Sequence, residues 1–391
     1  TNTAHFPQFF NREYNKEYQR EFPIGDTLRV KLPHRFTIRE GLTAVPLALD
    51  RQSTTITVQQ PFGIDFDWDS AEKALDMERS EDEIRRELIK PAMEKMKTEL
   101  DSRLAQWVYL HTNNVVGTHG TNPTGMTVYH DARAILNENA ARNEDRGTLI
   151  SSAMMSSIVT NNLTVFNPQN ELARAWKDGY YGRVAGADWY ESQNLFTHTS
   201  GSLAGGAVTI SGAGQSGTSL TVAGTNGDTF LAGDHFTVGT GATAVNNVNP
   251  DNLRSTGRLK NIKVMANATI AAGVATLTIR PSIVGPGSPY QNVSQLPPNA
   301  AVVTGTLGNS VAGKFGCTIA QDSFALVGVP LETYPDSVIC SQKRDPASGL
   351  AIRLWQASDI TGSRKITRFD MMIGLGDLYS DQGAVLIAGL R

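Results

Sequence analysis

Cysteine is scarce: Cys317 and Cys340 are the only two in 391 residues. They stand too far apart for a metal knuckle or redox pair and are too few for a disulfide scaffold, so both are expected to be reduced and buried. Net charge is nearly absent as well. Thirty-five basic and 38 acidic residues leave −3, which gives no global field to recruit nucleic acid or a membrane, so any such contact must be local. No run approaches the roughly twenty apolar residues of a membrane span. No charged-then-apolar leader opens the chain, which predicts synthesis and folding in a cytosol. The chain begins at Thr1 rather than Met, and a longer N-terminus is expected.

Signatures of catalysis and of metal binding are missing too. The seven histidines (His5, His34, His111, His119, His130, His198 and His235) contain no HExxH and no regular spacing that would converge on a metal. No GxSxG, Walker loop or Cys/His constellation is present. Gly212, Gly214 and Gly217 fit GxGxxG, but a dinucleotide loop needs a helix after it and Ser219 to Val222 reads as a strand, so a hairpin tip is predicted. Asp65, Asp67, Asp69 and Asp76 fall at calcium-loop offsets, yet Ser70 replaces the glycine of the sharp turn. Phe66 and Trp68 alternate with these acids as in a strand whose acidic face pairs with basic groups, such as those of the preceding hairpin. No enzyme, cofactor or metal is expected.

What is present is a succession of gripping elements. Residues 1 to about 25 carry Phe6, Phe9, Phe10, Tyr14, Tyr18 and Phe22 at a spacing near four, with Arg12, Lys16 and Arg20 repeating beside them. That pattern predicts an amphipathic arm seated on a partner or folded back on its own domain. From Gly25 to Val58, Leu28, Val30 and Leu32 alternate with Thr27, Arg29 and Lys31, and Ile56 and Val58 alternate with Thr55 and Thr57. Pro33 and Pro46 forbid central strand positions, so the segment reads as a projecting β-hairpin that something else must cover. Ser80 and Glu83 form a capping box. Ile84, Leu88, Ala92, Met96, Leu100, Leu104 and Val108 then recur every four residues, widened by Ile89, Met93 and Trp107, over a helix from Ser80 to near Thr112 that Pro91 should kink.

Residues 113 to 200 read as mixed α/β, with helices expected at Tyr129 to Arg142 and before Asn161, a strand at Leu163 to Phe166 and a helix start at NPQNELARAW. Composition shifts near Gly201 to Gly, Thr, Ser and Asn. The runs AVTIS, SLTVAG, DHFTVG, IKVMAN and ATLTIR then predict a small inserted β-barrel or sandwich before mixed character returns.

The order of these parts, with NREY, GDTLRV...P.RF.IREG, FGIDFDW and the insert's GDHFTV and GVATLTIRPSI, resembles the major capsid (coat) proteins of tailed bacteriophages. Within them it is most similar to the branch of the phage P-twenty-two coat protein. The resemblance implies an α+β Hong Kong ninety-seven capsid fold with an inserted immunoglobulin-like or telokin-like domain. It implies an N-terminal arm at 1–25, an extended loop at 26–62 and a peripheral domain at 63–124 with a spine helix at 80–113. It further implies an axial domain at 125–200, the insert at 201–318, and the rest of the axial domain with closing strands at 319–391.

The implied function is a non-enzymatic capsid subunit that forms the pentamers and hexamers of an icosahedral head around double-stranded DNA. The implied partners are further copies of itself, a scaffolding protein, a portal protein and decoration proteins, with no membrane. The implied location is the virion, after assembly in the host bacterial cytoplasm. Subunit-interface candidates are Arg12, Lys16 and Arg20 on the arm and Arg29, Lys31, Arg35, Arg39 and Glu40 on the ribbon. Glu78, Glu81, Asp82 and Glu87 on a neighbour's helix are their expected partners. The insert hairpin at Gly212 to Gly217 is short for a capsomer-bridging loop, and Asp251, Arg254, Arg258 and Lys260 are substitute candidates. A glycan-binding adhesin or fibre module, suggested by the Gly/Thr/Asn-rich strands, is the alternative; a hydrolase with a site around Asp65 to Asp76 is a third reading.

Overall fold

The computed structural model describes residues 6–15, 27–36, 38, 52–69, 89–143, 145–162, 183–202, 208–334, 339–345, 349–359 and 364–390. The chain divides into two compact units. The first comprises Thr1–Leu32, Gln52–Leu104 and Phe324–Leu378; the second comprises Pro33–Arg51, Ala105–Ser323 and Tyr379–Arg391.

The first unit is organised by one strand, Arg364–Asp377. Fourteen residues at about 3.3 Å each span roughly 45 Å, long enough to hold different partners along its two halves. Its first half pairs with Phe62–Asp69 on one edge and Ala351–Asp359 on the other. Its second half pairs with Phe324–Val329 and Ser53–Val58. The hairpin base joins the sheet here: Thr27–Lys31 lies antiparallel to Ser53–Val58, from Thr27↔Thr57 to Lys31↔Ser53. Gly376 makes the seat, because a Cβ there would lie 2.5 Å from the Ile56 side chain, and Ile56 fills that space with no exposure. Ile339–Arg344 forms an outer strand of the sheet, which leaves Cys340 only half-buried, whereas Cys317 is buried as expected.

Helix α1 runs over Lys90–His111, about 33 Å. Met96, Leu100, Leu104 and Val108 are buried as their spacing requires. The stripe widens through Ala105 and Tyr109 rather than through Met93 and Trp107, which stay half-exposed. Pro91 lies in the first turn of the described helix; the Ser80–Glu83 capping box, Leu163 to Phe166 and NPQNELARAW fall outside the described residues.

In the second unit, Asn114–Val116, Ala384–Ala388, Ala312–Ala320, Arg146–Ile150 and Ala187–Glu191 are adjacent in one sheet, with Thr197–Thr199 on the first part of Ala312–Ala320. Helices α2 (Thr127–Glu138) and α3 (Ser152–Asn162) pack on it. Tyr129, Leu136, Met154, Ile158, Trp189 and Ile387 share that core. Phe324–Leu378 lies in the first unit, so the stretch assigned to the axial domain from 319 onward is divided by its pairing with Phe62–Asp69. The insert boundary at 318 likewise falls inside the strand Ala312–Ala320.

The insert is built on a six-stranded sheet in the order Val303–Gly305, His235–Val238, Ile262–Val264, Val274–Ile283, Gly217–Ala223, Thr209–Ile210, with two separate strand pairs, Thr229–Phe230 on Ala268–Thr269 and Asn246–Val248 on Ser255–Leu259. The six-stranded sheet's two edges meet, because Thr209 bridges Val302 and the Val303 N–H donates to the Val208 carbonyl at 2.8 Å. These pairings close a barrel rather than stacking two sheets as an immunoglobulin-like sandwich would. Phe230, Phe236, Leu220, Leu277, Ile262 and Val293 are fully buried inside. Alternation explains the longest wall: Val274–Ile283 reads exposed, buried, exposed, buried along its first residues.

Candidate assembly surfaces

The arm's described residues rest on their own unit. Phe6, Phe9 and Phe10 are 1 %, 7 % and 0 % exposed, and the Phe10 ring lies 5.5 Å from that of Phe324. Backbone bonds fix the register: Asn11 N–H donates to the Phe324 carbonyl at 2.8 Å, and Leu326 N–H donates to the Asn11 carbonyl at 3.0 Å. The buried carboxylate of Asp101 on α1 accepts the Phe6 N–H at 3.1 Å, and the Asn15 side chain accepts from Gly328 N–H at 2.9 Å. The spacing of Phe6, Phe9 and Phe10 therefore reflects core packing, in 3₁₀ turns rather than an α-helix; Tyr18 and Phe22 fall outside the described residues. Arg12 folds back so that its guanidinium donates to the Pro7 carbonyl; burial lowers its pKa, and Asp345 opposes this. Lys16 and Arg20 fall outside the described residues.

The ribbon presents the open charge. Arg29 and Lys31 are exposed on Thr27–Lys31, with Val30 turned inward, and the Arg29 guanidinium donates to Ser53 Oγ at 2.8 Å. Arg35 is half-exposed, 5.9 Å from the Tyr290 ring. Phe36 and Ile38 are 69 % and 97 % exposed. These two were not singled out from the sequence, although the alternation of apolar and charged residues in RFTIRE could have marked them. Arg39, Glu40, Glu78, Glu81, Asp82 and Glu87 fall outside the described residues.

The acidic strand is a strand, and its basic partner lies beside it. Asp65 is 3.6 Å from Arg368, its register partner on Arg364–Asp377, rather than from the ribbon's arginines. Arg368 also donates to Asp370 at 2.6 Å, which raises its pKa. Asp370, 1 % exposed, takes a second 2.6 Å bond from Arg353. Arg353 in turn donates to the Glu332 carbonyl at 2.8 Å. The arrangement neutralises charge within the sheet.

The insert's polar hairpin turns inward instead of bridging outward. Its strands are Asn246–Val248 and Ser255–Leu259. Arg258 reaches Asp131 at 3.3 Å and Glu138 at 3.1 Å, both on α2. Lys260 is 5 % exposed and donates to the Asn247 side chain at 2.9 Å, while Asn247 donates to Asn139 at 2.7 Å. Burial lowers the Lys260 pKa. Lys260 is thus no surface contact: its ammonium is held inside by the Asn247 side chain. Asp251 and Arg254 remain exposed at the tip. The Gly212–Gly217 segment joins two antiparallel strands with all three glycines at positive φ. Gln215 bonds across it to the carbonyls of Ser211, Gly212 and Thr221, so no helix follows to receive a pyrophosphate.

The family described as "P22 coat protein - gene protein 5" matches residues 67–380. No curated protein sequence matches the chain. Among solved structures, a chain of Mycobacterium phage Che8 is similar with a TM-score of 0.53 and 12 % identity, covering 99 % of this chain and 92 % of that one. A chain from the capsid structure of the Cyanophage P-SCSP1u is similar with a TM-score of 0.50 and 12 % identity, covering 99 % and 88 %. The barrel-bearing α+β architecture is therefore the Hong Kong ninety-seven-like capsid fold, and the family match over about four-fifths of the sequence means that the chain belongs to the P22 coat protein family.

Proposed function

We propose that this chain is the major capsid protein of a tailed-phage head, assembling into pentamers and hexamers of an icosahedral shell that encloses double-stranded DNA. The observation that carries this is the family match over residues 67–380, which also favours this reading over a glycan-binding one. A shell needs heterologous contacts, where one patch meets a different patch on the next copy, because such contacts close into rings. The ribbon fits that need. Arg29 and Lys31 are exposed in the first unit and Phe36 and Ile38 in the second, and two large apolar side chains in water gain from cover at roughly 25 cal/mol per Å².

Ion pairs between ribbon arginines and the acids at 78–87 of a neighbour would add specificity. Each exposed pair is worth about 0–1 kcal/mol, so many per ring are required. The role is structural, with no catalytic chemistry and no cofactor. Scaffolding, portal and decoration proteins are the expected partners in the host cytoplasm, and the virion is the final location. Sedimentation and negative-stain electron microscopy of the chain, expressed alone and with the neighbouring phage genes, test the reading. Uniform icosahedral shells are expected; a discrete small oligomer under every condition would refute it.

A further inference from the structure

Four of the seven histidines gather around the last turn of α1, where the barrel meets it. Register explains how the barrel contributes: His235 is opposite Lys263, and Lys263 is opposite Arg280. Directly opposed residues share a face, so three basic side chains stand abreast across three strands. His235 and Lys263 have no exposure. Like charges in such a row repel, and what balances them is the carbonyl end of a helix, whose last C=O groups lack intrahelical partners and carry partial negative charge. Lys263 Nζ donates to the Tyr109 and Thr112 carbonyls and lies 3.9 Å from the Tyr109 ring centroid. His235 Nε2–H donates to the Thr112 carbonyl at 3.2 Å.

Among the described residues, no carboxylate bonds to His235. Asp234 is committed to His198 at 2.8 Å and to the N–H groups of Gly201 and Leu231. Asp381, beside Arg280 at 3.9 Å, faces that cation. His119 donates to the Val311 carbonyl at 2.8 Å, and His111, on α1 itself, donates to the Trp107 carbonyl at 2.9 Å. His235 Nδ1 and Thr112 Oγ1 are buried without a partner among the described residues. A proton arriving at Nδ1 would find no acceptor and would add charge beside Lys263.

We propose that this row is an acid-sensitive latch: neutral His235, together with Lys263, seats the barrel on the last turn of α1, and protonation of His235 beside Lys263 and Arg280 releases it. Burial first, and then Lys263, hold the His235 pKa well below its ordinary value; burial lowers that of His111 to about 4. A histidine depressed on folding contributes stability that is fully present above its unfolded value of about 6.5 and is lost as pH falls below it. The latch therefore closes at neutral pH and opens in acid.

Hydrogen exchange of the unassembled full chain, corrected for the intrinsic pH dependence of exchange, tests this between about pH 7.5 and about pH 5. Amides at 108–113, 233–239 and 261–265 are expected to exchange about tenfold faster at the lower pH, while 364–377 is unchanged. His235→Gln keeps an N–H donor for the Thr112 carbonyl without a titrating nitrogen and is expected to diminish the increase, leaving the part that the lowered pKa of His111 contributes. An undiminished increase in that variant would overturn the proposal. So would full protection of the junction in wild type at the lower pH, or simultaneous opening of 364–377, and both can be read even if the variant does not fold.

Discussion

Replacing Phe10 with Ala separates an arm that belongs to its own subunit from one that rests on a neighbour. Phe10 and Phe324 are both fully buried, with ring centroids 5.5 Å apart, and Phe10 adjoins the Asn11 bridge to the strand Phe324–Val329. Truncating a buried Phe costs about 3–5 kcal/mol, counting lost transfer energy and the cavity left behind. At 1.36 kcal/mol per tenfold change, that is about 10²- to 10⁴-fold in the opening equilibrium of the unit that holds it. Hydrogen exchange on unassembled protein reads this at the amides of Phe324–Val329, which should quicken by that factor, while those of Ala384–Ala388 in the second unit serve as the internal reference. Exchange within about fivefold of wild type would refute the reasoning, because the ring would then be buried by something other than its own chain. A consequence follows for truncation. Removing residues 1–25 strips Phe6, Phe9 and Phe10 from the core, and two such losses already approach the whole stability of a domain, about 5–15 kcal/mol. A deletion meant to test the ribbon's proposed role in assembly should therefore spare 6–15 and remove 33–51; a folded subunit that no longer forms shells is expected.

Gly63→Ala places a Cβ 2.1 Å from the Phe369 carbonyl oxygen, and the resulting shift of Phe62–Asp69 is expected to cost about 1–3 kcal/mol in urea denaturation. Asp370→Asn leaves Arg353 and Arg368 without their shared anion and should destabilise the first unit by about 3–5 kcal/mol, against a near-neutral effect for Asp65→Asn on the exposed side of the same network. Arg258→Ala loses two half-exposed ion pairs to α2 and should cost about 1 kcal/mol or less. The same variant should leave shell diameter in electron micrographs unchanged if the hairpin is internal; altered or failed assembly at that small stability cost would return it to the intersubunit contacts.

Short-range periodicity was legible from the sequence and long-range pairing was not. The four-residue recurrence of Met96, Leu100, Leu104 and Val108 identified α1, and the alternation in ATLTIR identified the longest barrel wall, because each pattern is the direct imprint of a helical or strand period. The acidic alternation of Asp65 and Asp67 was likewise read as a strand face, but its partner Arg368 lies about three hundred positions away and nothing local marks it. The arm and Lys260 show one limit. Both carry residue types that suit an interface; the sequence left the arm's cover open between a partner and its own domain and placed Lys260 at an interface, whereas Phe6, Phe9 and Phe10 are covered by the strand Phe324–Val329 and α1, and Lys260 by Asn247, which in turn reaches Asn139 at the end of α2. Residue type indicates that a side chain needs cover; only topology indicates whose.

The ends of the insert show why such an excursion is tolerated and what ties it down. Thr199 is opposite Ala312, and Thr197 is opposite Lys314. Beyond them, Ser200 N–H donates to the Val311 carbonyl at 3.0 Å and Ser310 N–H to the Gly201 carbonyl at 3.0 Å. The chain thus leaves and returns at one point, so the closed barrel between them costs its host little loop entropy and keeps an apolar core of its own. Independence of the core does not make the barrel's seat independent. Lys263 and His235 point at the carbonyl end of α1, and Arg258 and Asn247 reach α2, so the barrel grips two helices through polar side chains that an isolated domain would have to solvate. Expressed alone over 200–311, the barrel should still unfold cooperatively. The His235 pKa should then rise toward its ordinary value by as much of its burial as α1 supplies, while repulsion from Lys263, which stays on the barrel, continues to lower it. A barrel whose His235 kept its depressed pKa in isolation would show that the strands alone bury the row, and that the helix end receives it without being needed to hold it.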